Sequence, residues 1–226
     1  GDTGAHYGLF GVVKASEPYA ADVYNLQNIN LIDVSVSYTG DNSSTFVGGI
    51  AGYITGDFES SYDLNINNCT VTGTSSIRGF AYVGGLFGFI NPSAGGEAGV
   101  PTSISNCSNS ADITADSDTG GDVGGIVGYA AQVSFNAVDN TGDITGYTAG
   151  GIVGWSQMKS NSITDAYNDG TITGGMTSGG IVGKAEDTWF IANAPSTITQ
   201  SSNTGDVVGA DDTSDDYYSV GGIVGY

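Results

Sequence analysis

The amino-acid sequence predicts an all-β protein, a parallel β-helix of about six to seven coils with loops on two edges. One glycine-containing phrase recurs along the chain, and a second strand-like phrase lies between its copies. Asp, Asn, Ser, Thr and Gly fill the polar positions, and these residues favour turns and strand edges over helix interiors. The repeats occupy residues 1–226, which predicts a single repeat domain and a segment of a longer chain.

The first phrase has two adjacent glycines followed by an aliphatic residue. Its copies are Val47–Tyr53, Val83–Phe89, Val123–Tyr129, Ala149–Trp155, Ser178–Lys184 and Val220–Tyr226, after a degenerate copy at Tyr7–Gly11. The aliphatic residue is predicted to form an inward ladder of Leu9, Ile50, Leu86, Ile126, Ile152, Ile181 and Ile223. The paired glycines predict a tight corner, with either a positive φ or close contact with a neighbouring chain.

The second phrase is predicted to be another strand of each repeat. Its copies are Ile104–Thr114, Phe135–Thr145, Ile163–Thr173 and Ile198–Val208, with a shortened copy at Ile66–Thr72. An Asn at one equivalent position predicts left-handed backbone and a turn capped by the side chain, at Asn109, Asn140, Asn168 and Asn203. Cys69 and Cys107 occupy another equivalent position, which predicts small inward residues, and a disulfide between them stays open.

The spacing between copies varies while the phrases stay constant. An antiparallel sandwich or a propeller shows more regular hairpin or blade lengths. A solenoid tolerates insertions at its corners, and the sequence therefore favours a solenoid.

The glycine phrase, followed by Ile-x-Asn-Cys as at Ile104–Cys107, resembles the GLUG repeat of large bacterial surface proteins, including adhesins. The resemblance extends over nearly the whole chain. It implies an extracellular or cell-surface location, and it brings no catalytic residue to any position of this sequence.

The charge of the chain excludes several function classes. A net charge of −20 argues against binding to nucleic acid or to an anionic membrane surface. No apolar run approaches the roughly 18 residues of a membrane span, so the sequence predicts no membrane insertion. One His and four basic residues leave little material for acid-base or triad chemistry. A glycosidase needs only two carboxylates, and that alternative stays open.

Aromatic residues suggest where a ligand would bind. One set of insertions follows the glycine phrase and carries Tyr62, Trp189 and Phe190 beside carboxylates. The last position of the phrase forms a column that includes Tyr129 and Trp155. Rings that pack on pyranose faces and carboxylates that accept hydroxyl hydrogens are typical of sugar sites. Strand alternation places the column outward, whereas a kink at the preceding glycine would cover it.

A second set of insertions precedes the glycine phrase and is rich in carboxylates. It carries Asp116, Asp118 and Asp122, and then Asp211, Asp212, Asp215 and Asp216. Oxygen-rich loops of this kind bind Ca²⁺ in other proteins, although no known calcium-binding spacing is present here. The sequence thus predicts no cofactor, with Ca²⁺ at the last four aspartates as the alternative.

Together these features predict a non-catalytic extracellular module, adhesin-like, that binds a glycan or a host or neighbouring protein, or that acts as a rigid stalk. One alternative is a fibre subunit that associates end to end. The other is a carboxylate-dependent glycoside hydrolase of the β-helix type.

Overall fold

The computed structural model describes residues 4–15, 23–56, 63–92, 102–117, 120–157, 161–186, 196–209 and 218–226. These residues form strands and turns, and no helix occurs among them. The prediction of an all-β protein is confirmed. The described part of the chain also contains no helix long and apolar enough to cross a membrane.

The strands are numbered in chain order. The first nine are β1 (Ala5–Tyr7), β2 (Phe10–Ala15), β3 (Val23–Gln27), β4 (Asn30–Ile32), β5 (Ser35–Ser37), β6 (Thr45–Gly48), β7 (Ala51–Gly56), β8 (Asp63–Asn67) and β9 (Thr70–Thr72). The next nine are β10 (Ser76–Gly79), β11 (Tyr82–Gly84), β12 (Phe87–Asn91), β13 (Thr102–Asn109), β14 (Asp112–Ala115), β15 (Asp122–Gly124), β16 (Val127–Ala131), β17 (Val133–Asn140) and β18 (Ile144–Gly150). The last eight are β19 (Val153–Gln157), β20 (Ser162–Asn168), β21 (Ile172–Gly179), β22 (Val182–Glu186), β23 (Thr197–Thr199), β24 (Ser202–Asn203), β25 (Val207–Gly209) and β26 (Ser219–Gly221).

The strands form three parallel sheets. Sheet A has 11 strands, sheet B runs in the order β2-β7-β12-β16-β19-β22, and sheet C has nine strands. In each sheet a strand pairs with its counterpart in the next repeat copy. Phe89, for example, pairs with Tyr53 on one side and Tyr129 on the other. Sequence repeats thus become parallel neighbours.

Sheet A contains two arms that meet at β18. Strands β14 and β15 lie end to end against it, because Ile113 pairs with Ile144 while Val123 pairs with Ala149. The residues between β14 and β15 belong to the second set of insertions. In β18 and β21 this insertion is missing, and a single long strand replaces the two short ones.

The predicted inward ladder lies in the core except at its two ends. Ile50, Leu86, Ile126, Ile152 and Ile181 are each 0% exposed. Leu9 and Ile223 are 55% and 37% exposed, so the prediction is wrong for these two residues. Each of them has a described repeat copy on one side only. The Leu9 N–H donates to the Gly49 carbonyl, and the Ile223 carbonyl accepts from the Ile181 N–H.

The cysteine position behaves as predicted. Cys69, Cys107, Val138 and Ala166 are all buried, and both thiols are free. The pKa of Cys107 lies above its ordinary value because its thiol contacts that of Cys69 and is buried.

The Asn column caps turns but does not adopt left-handed backbone. The Nδ2 of Asn140 donates to the Gly142 carbonyl and to Oδ1 of Asn168, both at 2.8 Å. The same bonds recur along the column and form a buried amide ladder. A different column takes the left-handed corner, with positive φ at Asn28, Asn68, Asn106, Ala137, Asp165 and Gln200. The sequence prediction of left-handed Asn109, Asn140, Asn168 and Asn203 is therefore wrong.

The glycines of the first phrase allow neighbouring backbone and side-chain atoms to lie closer than a Cβ atom would permit. A Cβ on Gly88 would lie 2.5 Å from the Val47 nitrogen in sheet A, and one on Gly125 would lie 2.5 Å from the Asn140 side chain. Gly73 is the one described glycine with positive φ. Of the two predicted reasons for the paired glycines, close contact is the correct one.

Candidate functional site

Two columns of side chains meet where sheet A adjoins sheet B. The column of sheet B contains Val12, Tyr53, Phe89, Tyr129, Trp155 and Lys184 in register. The column of sheet A contains His6, Phe46, Tyr82, Asp122, Thr148, Thr177 and Ser219. Phe46 lies 5.2 Å from Tyr53 and Tyr82 lies 5.1 Å from Phe89, between ring centroids, so the columns are in contact.

A break in strand alternation produces the sheet B column. Ala51 and Ile54 of β7 both belong to the hydrophobic core although they are three residues apart. Gly52 and Tyr53 lie between them, outside that core. The rings are covered by the opposite column, and Tyr129 is only 7% exposed. The column is thus neither inward nor openly exposed, and the predicted kink at the glycine describes it best.

Aromatic packing fills the first part of this junction. Phe89 and Tyr129 stack with centroids 4.2 Å apart, and Tyr82 meets both rings edge to face. The Tyr129 hydroxyl donates to Oε1 of Gln157 at 2.6 Å. Burial, followed by the nearby Tyr82 and Asp122, raises the pKa of Tyr129. Tyr129 therefore packs against the Tyr82 and Phe89 rings and the Gln157 amide at this junction.

The composition of both columns then changes, and a cavity opens. In the sheet A column the aromatic side chains are followed by those of Asp122, Thr148 and Thr177, which occupy less space. The cavity has a volume of about 700 Å³, within the range of small-molecule sites. It is lined by Tyr82, Gly120, Asp122, Tyr147, Thr148, Trp155, Met176, Thr177, Lys184, Glu186, Tyr218, Ser219 and Tyr226.

Asp122 is a buried carboxyl on the cavity wall, 6% exposed. Burial raises its pKa to about 7, while a hydrogen bond with Thr148 and the charge of Lys184 act in the opposite direction. Burial therefore favours the neutral, protonated form of Asp122.

Lys184 replaces an aromatic ring in the sheet B column. Its Nζ lies 4.7 Å from the ring centroid of Trp155 and 6.0 Å from that of Tyr226. The same ammonium forms an ion pair of 2.6 Å with Oε2 of Glu186. Lys184 is thus occupied by one carboxylate and two aromatic rings.

Two hydrogen-bonding atoms of the lining are buried without a partner in the described structure. They are Nε1 of Trp155 and Oγ1 of Thr177, and Thr177 is only 2% exposed. Buried polar groups are normally hydrogen-bonded, and an unsatisfied one costs about 1–3 kcal/mol. Both residues belong to the cavity lining, so each supplies a hydrogen-bond donor without a partner at the edge of this cavity.

The structure brings together part of the predicted site. Trp155 lines the cavity, whereas Tyr129 lies in the packed region. Tyr62, Trp189 and Phe190 lie outside the described residues, as do the proposed calcium ligands Asp211, Asp212, Asp215 and Asp216. Within the described ranges no three His, Cys, Asp or Glu side chains form a group that could hold a metal ion.

Sequence reasoning missed the sheet A side of the cavity. Asp122, interpreted as a loop carboxylate, is a buried rung of β15, and Asp116 instead pairs with Arg78 at 2.7 Å. The signal lies two residues before each glycine pair, where Phe46 and Tyr82 are followed by Asp122, Thr148, Thr177 and Ser219. Reading that position across copies reveals the change from rings to small polar side chains.

Comparisons with known proteins assign the chain to no family. No protein-family model, no curated protein and no solved structure matches the chain.

Proposed function

We propose that this chain is a parallel β-helix that acts as a non-catalytic surface module and binds a saccharide in the cavity beside Trp155. The parallel registers support the architecture, since each repeat adds a strand to each of the three sheets. In this proposal the three sheets are the three faces of about six to seven coils. The buried ladder from Ile50 to Ile181 then forms the interior.

The surface location rests on the sequence. The glycine phrase resembles repeats of bacterial surface proteins, and a net charge of −20 suits a soluble, exposed domain. The proposed function requires no cofactor. Its partners are a glycan or a neighbouring protein outside the cell.

One observation supports sugar binding above all: two unpartnered buried polar atoms share a cavity with aromatic rings. Sugars combine apolar ring faces with hydroxyl groups, and sites for them combine aromatic rings with a few placed polar groups. Trp155 and Tyr226 supply rings, and Thr177 and Asp122 supply polar atoms. A purely apolar ligand would leave Thr177 unsatisfied.

Glycan-array binding of the intact protein tests this function. Trp155→Ala should weaken any bound glycan by about tenfold or more, because it removes both a ring face and a donor. Tyr167→Ala is a matched control, since Tyr167 is a 44% exposed ring on sheet C. Trp189→Ala tests the alternative site on the insertion loop. Absence of binding to any glycan would leave the rigid-stalk function as the better proposal.

A glycoside hydrolase is the second candidate, because two carboxyl groups, those of Asp122 and Glu186, line the cavity. Asp122 has a pKa near 7, which suits a general acid, and Glu186 is an ion-paired carboxylate. Binding remains the preferred function because two unpartnered donors belong to the cavity lining and Oε2 of Glu186 is held in an ion pair with Lys184 at 2.6 Å. Reducing sugar released by the intact protein but not by Asp122→Asn would establish hydrolysis instead.

A further inference from the structure

We infer that the cavity selects an uncharged saccharide unit that presents two acceptor oxygens to the Trp155 indole N–H and the Thr177 hydroxyl. This inference rests on the proposed function and specifies its ligand class. Three features of the cavity carry it: the two donors, the pairing of its cation, and its closed inner end.

The donors define the polar requirement. The indole nitrogen of Trp155 can only donate, and it has no partner in the described structure. The Thr177 hydroxyl is likewise buried and unpartnered. A ligand with hydroxyl or amide oxygens at both positions recovers the hydrogen bonds that the folded protein lacks.

The charges of the lining disfavour acidic sugars. Uronic, sialic and sulfated sugars are usually held by Arg or Lys through charge-assisted hydrogen bonds. Among the described residues of the cavity wall, Lys184 is the one cation, and Glu186 pairs with it at 2.6 Å. Asp122 also faces the cavity, and the net charge of −20 repels anions at long range. An anionic ligand would therefore lose its hydration without a free cation to replace it.

The inner end of the cavity limits the length of the ligand. Tyr82 lies on the wall, and behind it Tyr129 and Phe89 pack with centroids 4.2 Å apart. These rings block the junction of the two sheets beyond Tyr82. A ligand in the cavity therefore cannot extend along both columns past Tyr82.

Calorimetric titration with charge-matched sugars tests the inference on the full chain. The probes are galactose against galacturonic acid, lactose against 3′-sialyllactose, and N,N′-diacetylchitobiose. At least one neutral probe should bind, and the acidic member of a binding pair should be at least about tenfold weaker. An acidic sugar that binds as tightly as its neutral partner would overturn the inference while leaving saccharide binding intact.

Two substitutions test the donors against a matched control. Thr177→Val keeps the side-chain shape, Trp155→Phe keeps an aromatic ring, and each removes one donor, so each should weaken the neutral sugar at least about five- to tenfold. Thr102→Val removes another buried, unpartnered hydroxyl that lies in β13, away from the cavity, and should leave binding unchanged. Neither threonine substitution should lower the melting temperature. Equal affinities for Thr177→Val and Thr102→Val would contradict the inference, and failure of every sugar to bind would contradict the proposed function itself.

Discussion

Asp122 and Thr148 are direct partners on neighbouring parallel strands, and Thr148 forms a hydrogen bond with the Asp122 carboxyl group inside the protein. One hydrogen bond does not fully offset the loss of water, so the pKa of Asp122 lies near 7 instead of near 3.8. The buried Asp122 carboxyl group therefore makes the stability of the fold depend on pH.

Asp122→Asn should change the pH dependence of stability. The folded pKa of Asp122 is raised above its unfolded value, so the stabilisation from its bound proton is complete below about pH 4. That stabilisation is lost as pH rises through about 7, with a slope of at most ~1.4 kcal/mol per pH unit. Relative to Asp122→Asn, the wild type should therefore lose free energy of unfolding between pH 4 and pH 7.

Denaturant unfolding at several pH values provides the measurement. Asp116→Asn is the control, because it removes the same formal charge from a surface ion pair with Arg78. A wild type and an Asp122→Asn variant with parallel profiles would show that Asp122 is not a buried acid.

Ile152→Asp should unfold the protein or cost several kcal/mol of unfolding free energy. Ile152 is 0% exposed in the core ladder, and a charge there has no partner. Ile223 occupies the equivalent position in another repeat copy, but it is 37% exposed. The protein should therefore tolerate Ile223→Asp far better. Thermal melts compare the two, and equal losses would contradict the assignment of the ladder.

Asn140→Ala should destabilise the fold by roughly 2 kcal/mol or more. It removes the middle of the buried amide ladder, so that Oδ1 of Asn168 loses its donor. Asn30→Ala removes an exposed acceptor for Thr70 and should cost less than about 1 kcal/mol. Chemical denaturation of both variants measures the difference. Similar losses at the two sites would show that the ladder is not buried in solution.

Ala137→Gly should stabilise the protein by about 1 kcal/mol. Ala137 has φ of 54°, a conformation that costs an alanine ~1–2 kcal/mol and costs glycine little. Ala166→Gly, in the neighbouring strand β20 at a residue without positive φ, should instead destabilise. A loss of stability in both variants, measured by chemical denaturation, would contradict the left-handed corner.

Both thiols should be unreactive in the native protein. Cys69 and Cys107 are 0% and 1% exposed, so a reagent cannot reach either sulfur in the native protein, although the contact with Cys107 lowers the pKa of Cys69. A thiol reagent should label neither residue under native conditions and both in denaturant. Rapid labelling of the native protein would mean that sheet C opens at this position.

The repeat copies allowed the core to be predicted from sequence, while the site depended on packing that sequence does not show. Ile126 and its equivalents were predictable because parallel stacking places like residues side by side. The left-handed corner was assigned to the wrong Asn column, because Asn favours both left-handed backbone and side-chain capping. The structure shows left-handed backbone at Asn106 and side-chain capping at Asn140.

The cavity itself had only a faint sequence signal. Asp122 follows an insertion and looks like a loop residue until its pairing with Thr148 is known. Trp155 was singled out as a ring of the aromatic column, but nothing in the sequence shows that its Nε1 lacks a partner. Which rings fill the junction and which leave a gap depends on contacts between two different sheets.

A crystal structure of the protein with a neutral oligosaccharide identified on the glycan array would show whether the cavity beside Trp155 binds a saccharide. We expect a sugar ring in the cavity, with oxygens within hydrogen-bond distance of Trp155 Nε1 and Thr177 Oγ1. A sugar bound instead at Trp189 and Phe190, with the cavity empty, would contradict this expectation.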